Sequence, residues 1–412
     1  MVEPTGQSGW AAALRTARQW PVGNGHARYR QRPHRRTQRT NRQRSAGRRD
    51  QCTRSRQSHR PTTVTIFAEA LLAWFDRHGR HDLPWQHPRD AYRVWLSEIM
   101  LQQTQVVTVI PYFQRFIERL PALGDLAAAD EDTVLALWSG LGYYRRARFL
   151  HKAAQLCIER HGGELPREFD ALAALPGIGR STAGAILAQA HGLRFPILDG
   201  NVKRVLTRFH GIAGHPGERE VEKQLWQRAD AHTPARRTAD YTQAIMDLGA
   251  TVCVRTRPQC PACPMHGECV AHRDDLTGQL PTPKPGKAIP TRSTVMLILR
   301  DDEGRVLLQR RGAQGVWSGL WSLPEAENAD HAWREAQRNA HIDDAQSLTP
   351  FIHVFSHYRL HIQPLLFDRA APALAIGDND DRRWFALAEL SALGLPAPVR
   401  SLLTALPEPI EP

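Results

Sequence analysis

A chain of 412 residues has room for two or three domains at roughly 100–200 residues each, and 42% hydrophobic with 23% charged residues is ordinary globular composition. With 29 Gly and 29 Pro it is neither collagen-like nor wholly disordered, and no apolar run approaches the ~18 residues of a membrane span. The net charge of +12 misleads about the body: residues 1–60 hold 15 Arg against Glu3 and Asp50, whereas the rest holds 39 Lys+Arg against 40 Asp+Glu. An argument for nucleic acid therefore has to come from local motifs.

Residues 1–62 read as a disordered Arg-rich tail, because stretches such as Arg28 to Arg36 have almost no apolar side chain to bury. Upstream sequence from a wrongly chosen start, a phosphate-binding arm and a mitochondrial targeting peptide are three open readings of it.

From Ile66 to Phe75 apolar residues recur at helical spacing, predicting a first helix that Leu83-Pro84-Trp85-Gln86 breaks. Asp90 then caps a helix through Tyr92, Trp95, Leu96, Ile99 and Met100, expected to stop before Pro111. Further helical patterns fall at 112–120, 131–139, 146–160, 181–191, 201–209, 218–230 and 240–248, without a strand among them. Residues 63–280 are thus expected to be all-α. A proline-rich linker spans 281–290. Beyond it, Thr294–Leu299 and Val306–Leu308 read as strands joined by a turn at Asp301–Gly304, Trp333–Ala340 as a helix and His361–Phe367 as a strand. Residues 291–408 are expected to be a separate α+β domain.

Four of the six cysteines cluster as Cys253-x6-Cys260-x2-Cys263-x5-Cys269. Four thiolates within 17 residues suit a tetrahedral metal or a cubane cluster. A disulfide framework is disfavoured in a large chain without a secretion signal. Zinc sites usually repeat C-x2-C in both halves, and here the gaps are six, two and five.

Leu175-Pro176-Gly177-Ile178-Gly179-Arg180-Ser181 lies between two helical patterns. Gly177 and Gly179 permit a tight hairpin whose N–H groups open the next helix, a ready phosphate site. Asp199-Gly200-Asn201 opens a further helix, followed by Lys203 and Arg204. Two carboxylates in unlike environments can divide the roles of proton donor and charge-stabilising anion. Glu98, three residues after Trp95 at the edge of an apolar helix face, is the candidate acid, its pKa raised by partial burial. Asp199 is the candidate charge-stabilising anion.

Together these segments, with Val94 to Gln105 and Leu141-Gly142-Tyr143-Tyr144, resemble the helix–hairpin–helix DNA glycosylases and, more closely, the MutY-type adenine DNA glycosylases, from about residue 66 to 405. The resemblance implies a substrate, adenine mispaired with 8-oxoguanine or guanine in double-stranded DNA, and one [4Fe–4S] cluster rather than zinc on Cys253, Cys260, Cys263 and Cys269. It places Glu98 as the acid protonating adenine N7, with Asp199, Ser181 and Asn201 completing the catalytic group. Related bifunctional enzymes carry Lys at the hairpin position of Ser181. A hydroxyl forms no Schiff base, so base removal without strand cleavage is expected.

The same resemblance makes Gln103 and Tyr143 wedges that hold the base stack open. Trp85, Gly177, Gly179, Lys203 and Arg204 join them as DNA contacts. It also makes residues 291–408 a Nudix-like domain, with Phe355-Ser356-His357 contacting 8-oxoguanine. A Nudix box beginning at Gly319 reaches Glu325 and Glu335 but has Arg338 and Asn339 where carboxylates belong, so Mg²⁺-dependent pyrophosphate hydrolysis is not expected.

Two rival readings are weaker. A bifunctional pyrimidine glycosylase is opposed by Ser181, Glu98 and the extra domain, and a non-catalytic damage-binding protein is separable by a base-release assay. A monomer is expected, cytoplasmic in a bacterium, mitochondrial or nuclear in a eukaryote.

Overall fold

Among the described residues twelve α-helices precede the first strand, and the reason is local patterning. The computed structural model describes residues 63–284, 286, 288–312, 314–372 and 381–406; the Arg-rich tail lies outside the described residues. Helix α1 (Thr63–His78) buries Phe67, Leu71, Trp74 and Phe75, the i, i+4, i+7, i+8 face of its sequence. Helix α2 (Ala91–Met100) starts where the Asp90 side chain accepts from the Arg93 N–H at 2.8 Å. Helix α3 (Val106–Arg119) contains Pro111, so the expectation that Pro111 marks a boundary is corrected. The proline falls early in the helix, where only one backbone bond is lost, and Val109, Phe113, Phe116 and Ile117 still fill one buried face.

Helices α4 (Leu123–Ala128), α5 (Glu131–Trp138), α6 (Arg145–Arg160), α7 (Phe169–Ala173) and α8 (Arg180–His191) complete a first lobe around Trp95 and Trp138, both fully buried. Each large side chain of this kind contributes roughly 1.5–3 kcal/mol by leaving water. A second lobe packs α1 against α9 (Gly200–His210), α10 (Arg219–His232) and α11 (Thr238–Thr251), continuing through the cysteine loop to α12 (Val270–Arg273). Helix α8 touches both cores: Ile186 and Leu187 belong to the first, Ala185 to the second. The lobes meet where α2 and α8 face the loop entering α9.

Past the linker come β1 (Thr291–Leu299), β2 (Val306–Arg310), β3 (Trp321–Ser322), β4 (Glu325–Ala326), α13 (Ala329–Asn339), β5 (Ala340–His341), β6 (Gln346–Ser347), β7 (Phe351–Val354), β8 (Arg359–Phe367), β9 (Ala371–Pro372), β10 (Arg382–Phe385) and α14 (Ala397–Thr404). The central pair is parallel, β1 with β8, from Thr291 opposite Arg359 to Leu299 opposite Phe367. The turn expected at Asp301–Gly304 forms, with Asp301 accepting from the Glu303 and Arg305 N–H groups, but β1 and β2 are not a hairpin. Beyond one bridge between Arg300 and Val306, β2 crosses to a second sheet of order β10-β2-β3.

The α+β fold has one core of its own, with Leu297, Leu299, Leu307, Ala336 and Phe367, and shares a second with the helical region. Leu135 and Trp138 of α5 belong to the same hydrophobic cluster as Leu320, Leu395 and Val399. Arg310 pairs with Asp132 at 2.5 Å, and Ser139 Oγ and Tyr144 OH both donate to the Leu395 carbonyl.

Candidate active site

Glu98 sits in the last turn of α2, between Trp95 and Ile99, and faces α8. Its Oε1 accepts from Gln189 Nε2 at 3.1 Å, and Gln189 is itself buried. Burial pushes the Glu98 carboxyl up to about 8, with the Asp199 charge adding to the rise. Asp199 is the N-cap of α9, its Oδ1 accepting from the Val202 N–H at 2.8 Å. Burial raises Asp199 as well, but the Val202 and Asn201 N–H groups and the cations of Arg204 and Lys203 pull it back. Glu98 has one neutral amide for support, whereas Asp199 has a helix N-terminus. One proton shared between them therefore belongs on Glu98 and the negative charge on Asp199.

Ser181 ties the hairpin to this pair. Its Oγ accepts from the Leu198 N–H at 2.9 Å, one residue before Asp199. The approach of that loop to α8 requires a glycine at 184, where a Cβ would stand 2.6 Å from the Pro196 carbonyl oxygen. Gly177, at φ +80°, supplies the left-handed turn of the hairpin against Phe149; Gly177 and Gly179 are exposed and Ile178 anchors the turn in the core.

Away from the carboxylates, a cleft of about 1260 Å³ runs between the helical lobe and the α+β fold. Gln103, Tyr143 and Gly177 line one side, and Phe355, Ser356 and His357 the other. Gln103 and Tyr143 are exposed and both take left-handed backbone, φ +60° and +50°. Sequence reasoning missed two contributors here, Trp317 and Arg146. Trp317, also left-handed at φ +60°, stands 5.2 Å from the Phe355 ring and 5.6 Å from His353. The guanidinium of Arg146 lies between the turns that carry Gln103 and Tyr143.

Two expected DNA contacts are corrected. Trp85 is 3% exposed and packs edge-on against Phe113, so it belongs to the core. Arg204 is engaged with the Cys253 and Gly249 carbonyls and Asn201 Oδ1, at 2.7, 2.7 and 2.8 Å, which leaves its guanidinium turned toward the cysteine loop. Its neighbour Lys203 pairs with Glu222 at 2.6 Å on a partly exposed surface. Asn201 is consequently a bridge between Asp199 and Arg204, its Cβ against Gly249 of α11.

Cys253, Cys260, Cys263 and Cys269 are free of disulfides and line one small cavity beside Arg208. Among the described residues no three His, Cys, Asp or Glu side chains converge to hold a single metal ion. The donor chemistry fits a multi-iron group: four soft thiols around a cavity, with burial pushing Cys263 up to about 12 so that cationic iron is needed to hold it as thiolate. Arg208, 3% exposed, donates to Cys253 Sγ at 3.4 Å and to the Leu280, Val254 and Arg255 carbonyls.

At the Nudix-like box, Glu335 pairs with Arg338 and Arg382, and Asn339 accepts from Arg382 at 2.7 Å. Glu325 pairs with Arg311. Guanidinium groups thus neutralise the carboxylates that remain there.

The profile of the HhH-GPD superfamily of base excision DNA repair proteins matches residues 96–231, and that of the NUDIX domain matches 294–405. The chain is 38% identical to the adenine DNA glycosylase of Buchnera aphidicola subsp. Acyrthosiphon pisum over 343 residues, 83% of this chain and 97% of that one. To the adenine DNA glycosylase of Mus musculus it is 36% identical over 376 residues, 76% of this chain and 73% of that one. A solved thermostable thymine-DNA glycosylase is 27% identical over 51% of this chain and 97% of its own, at a TM-score of 0.47. Near-complete overlap with the bacterial relative, spanning hairpin, carboxylates, cysteines and Nudix-like fold together, decides the assignment: the chain belongs to the adenine DNA glycosylases, N-glycosyl hydrolases of base excision repair.

Proposed function

We propose that the chain removes adenine mispaired with 8-oxoguanine or guanine from double-stranded DNA, by hydrolysis alone, leaving the strand intact. The observation that carries the chemistry is a pair of buried carboxyl groups in unlike surroundings, Glu98 against the neutral amide of Gln189 and Asp199 at the N-terminus of α9. Glu98 gives its proton to N7 of the extruded adenine, so the base departs neutral. The Asp199 carboxylate faces the sugar as positive charge develops on it, in a setting already oriented by the α9 N-terminus. Glu98, now ionised, accepts a proton from the attacking water. Ser181 holds the Asp199 loop through Leu198 and has no amine with which to attack the sugar.

In the cleft, Gln103 and Tyr143 wedge into the stack while Phe355, Ser356 and His357 meet the base opposite adenine. The exposed N–H groups of the Gly177–Gly179 hairpin take a phosphate. Cys253, Cys260, Cys263 and Cys269 hold one [4Fe–4S] cluster. Bound there, it supplies the positive charge and crosslinks that order the loop from 253 to 269. The enzyme acts as a monomer, cytoplasmic in a bacterial cell; no described helix is long and apolar enough to cross a membrane.

The test is incubation with an 8-oxoguanine:adenine duplex, with and without alkali. Strand breaks that appear only after alkali support the reading. Breaks without alkali, or no release of adenine, overturn it.

A further inference from the structure

The cleft contains a half-buried cation, Arg146, that the chemistry above does not use. Arg146 lies in the first turn of α6, and its guanidinium points back across the floor of the cleft. Nη1 donates to the carbonyls of Ile99, Met100 and Gln102 at 3.0, 2.8 and 2.5 Å. Nη2 donates to Thr104 Oγ1 at 3.2 Å and to the Gly142 carbonyl at 3.1 Å. The same group lies 5.4 Å from both the Trp138 and Tyr143 ring centres.

Among the described residues its hydrogen-bond partners are carbonyl oxygens and one hydroxyl, with no carboxylate. The compensating negative charge comes from the open carbonyl end of α2 and from two aromatic faces. Burial pulls the guanidinium down to about 10, still charged at neutral pH.

Its partners flank three particular places. Ile99 and Met100 end the helix that carries Glu98, Gln102 and Thr104 bracket Gln103, and Gly142 precedes Tyr143. Both Gln103 and Tyr143 adopt left-handed backbone, which is strained for residues with a side chain and persists only where the surroundings over-determine it. The Arg146 side chain is bonded to both turns. A simple core role would not demand a guanidinium; a planar fork that reaches acceptors at the end of α2 and on two separate loops does.

We infer that Arg146 is a positioning residue that sets Gln103 and Tyr143 in their wedge conformations, at fixed spacing from Glu98, before DNA arrives. This rests on the wedge reading of those two residues. In its absence each turn relaxes to ordinary backbone, and the wedge must be rebuilt during every encounter, which slows extrusion of the base rather than bond cleavage. Lysine keeps the charge but is a point donor on a flexible stem, and it cannot hold both turns at once.

The experiment is a double-mutant cycle in the full chain, read by fluorescence of 2-aminopurine placed next to the mispaired adenine and by single-turnover excision. R146K is expected to slow the fluorescence rise about tenfold and to leave the pH profile of excision unmoved. Combined with Q103A and Y143A, it should add almost nothing, because the residues it acts through are gone. R146Q provides a second variant, and thermal melting checks that each is folded. If R146K costs the same factor with and without Gln103 and Tyr143, or if only the bond-breaking step slows, the proposal fails. It also fails if neither variant folds, since Arg146 is then a structural group. Separately, Q103A and Y143A leaving the fluorescence rise unchanged would refute the wedge reading itself.

Discussion

Glu98 and Asp199 have the same functional group and divide the work through their neighbours. A carboxyl raised to about 8 stays protonated in the folded state while the unfolded chain has already lost its proton from the ordinary value of 4.5 upward. The folded state therefore binds the extra proton between those values, and Glu98 costs stability progressively as pH rises through that window. Glu98→Gln removes the titration. Relative to wild type it should gain stability from pH 4.5 to 8, seen by urea unfolding, while single-turnover excision falls by ~10²-fold or more. Wild-type excision should decline above about pH 8.

Asp199→Asn should be comparably slow, because a neutral amide cannot offset the positive charge developing on the sugar. Gln189→Leu removes the bond that favours the ionised form of Glu98, so the alkaline limb should move to higher pH. A limb that stays in place would show that another group titrates. Glu98 and Asp199 were legible in the sequence because helix spacing and capping are local. Gln189 was not, being 91 residues from its partner, and neither was the burial of Trp85, which depends on Phe113 crossing from another helix.

At the level of the element, α8 and the loop into α9 form one device. The loop is seated by Ser181 accepting from Leu198 and by the open space at Gly184. Gly184→Ala places a methyl 2.6 Å from the Pro196 carbonyl oxygen, within a stretch where neither partner is a flexible side-chain end. The loop must retreat, so excision should fall at least about tenfold, in line with the sensitivity of catalysis to small displacements, while helix content by circular dichroism stays unchanged. Ser181→Lys breaks the same bond and puts an amine near the sugar; some alkali-independent strand cleavage is expected, and its complete absence would place residue 181 out of reach of the sugar carbon.

Helix positions were readable because periodicity and caps are written into short windows. Pro111 misled because a proline early in a helix resembles a proline beyond the end of one. The strand order was hidden for a different reason: β1 pairs with β8, far along the chain, not with its neighbour β2.

For the whole molecule, a shared core joins two folds that the proline-rich linker suggested were separate. Leu135 and Trp138 of α5 would lose the cover of Leu320, Leu395 and Val399 if residues 291–412 were removed. The truncated chain should melt at a lower temperature as well as lose the proposed preference for 8-oxoguanine over guanine opposite adenine. His357→Ala, an exposed change in the cleft, should reduce the preference with little change in melting. Equal slowing on both mispairs would make residue 357 a mere part of the wall. Calorimetry of the intact protein should give one transition for both folds, since a third buried cluster is shared between them.

The left-handed backbone at Gln103 and Tyr143 has a consequence for how the sequence can drift. Stability alone would favour asparagine or glycine at those two sites, so mutation under no demand for repair should wander toward them. Gln103→Asn is thus expected to raise the melting temperature while lowering excision, a gain for the fold at the expense of the cell's mutation rate. Strains carrying it should accumulate transversions in spite of a sturdier enzyme. A variant that proved both more stable and fully active would mean the strain at residue 103 has no part in repair.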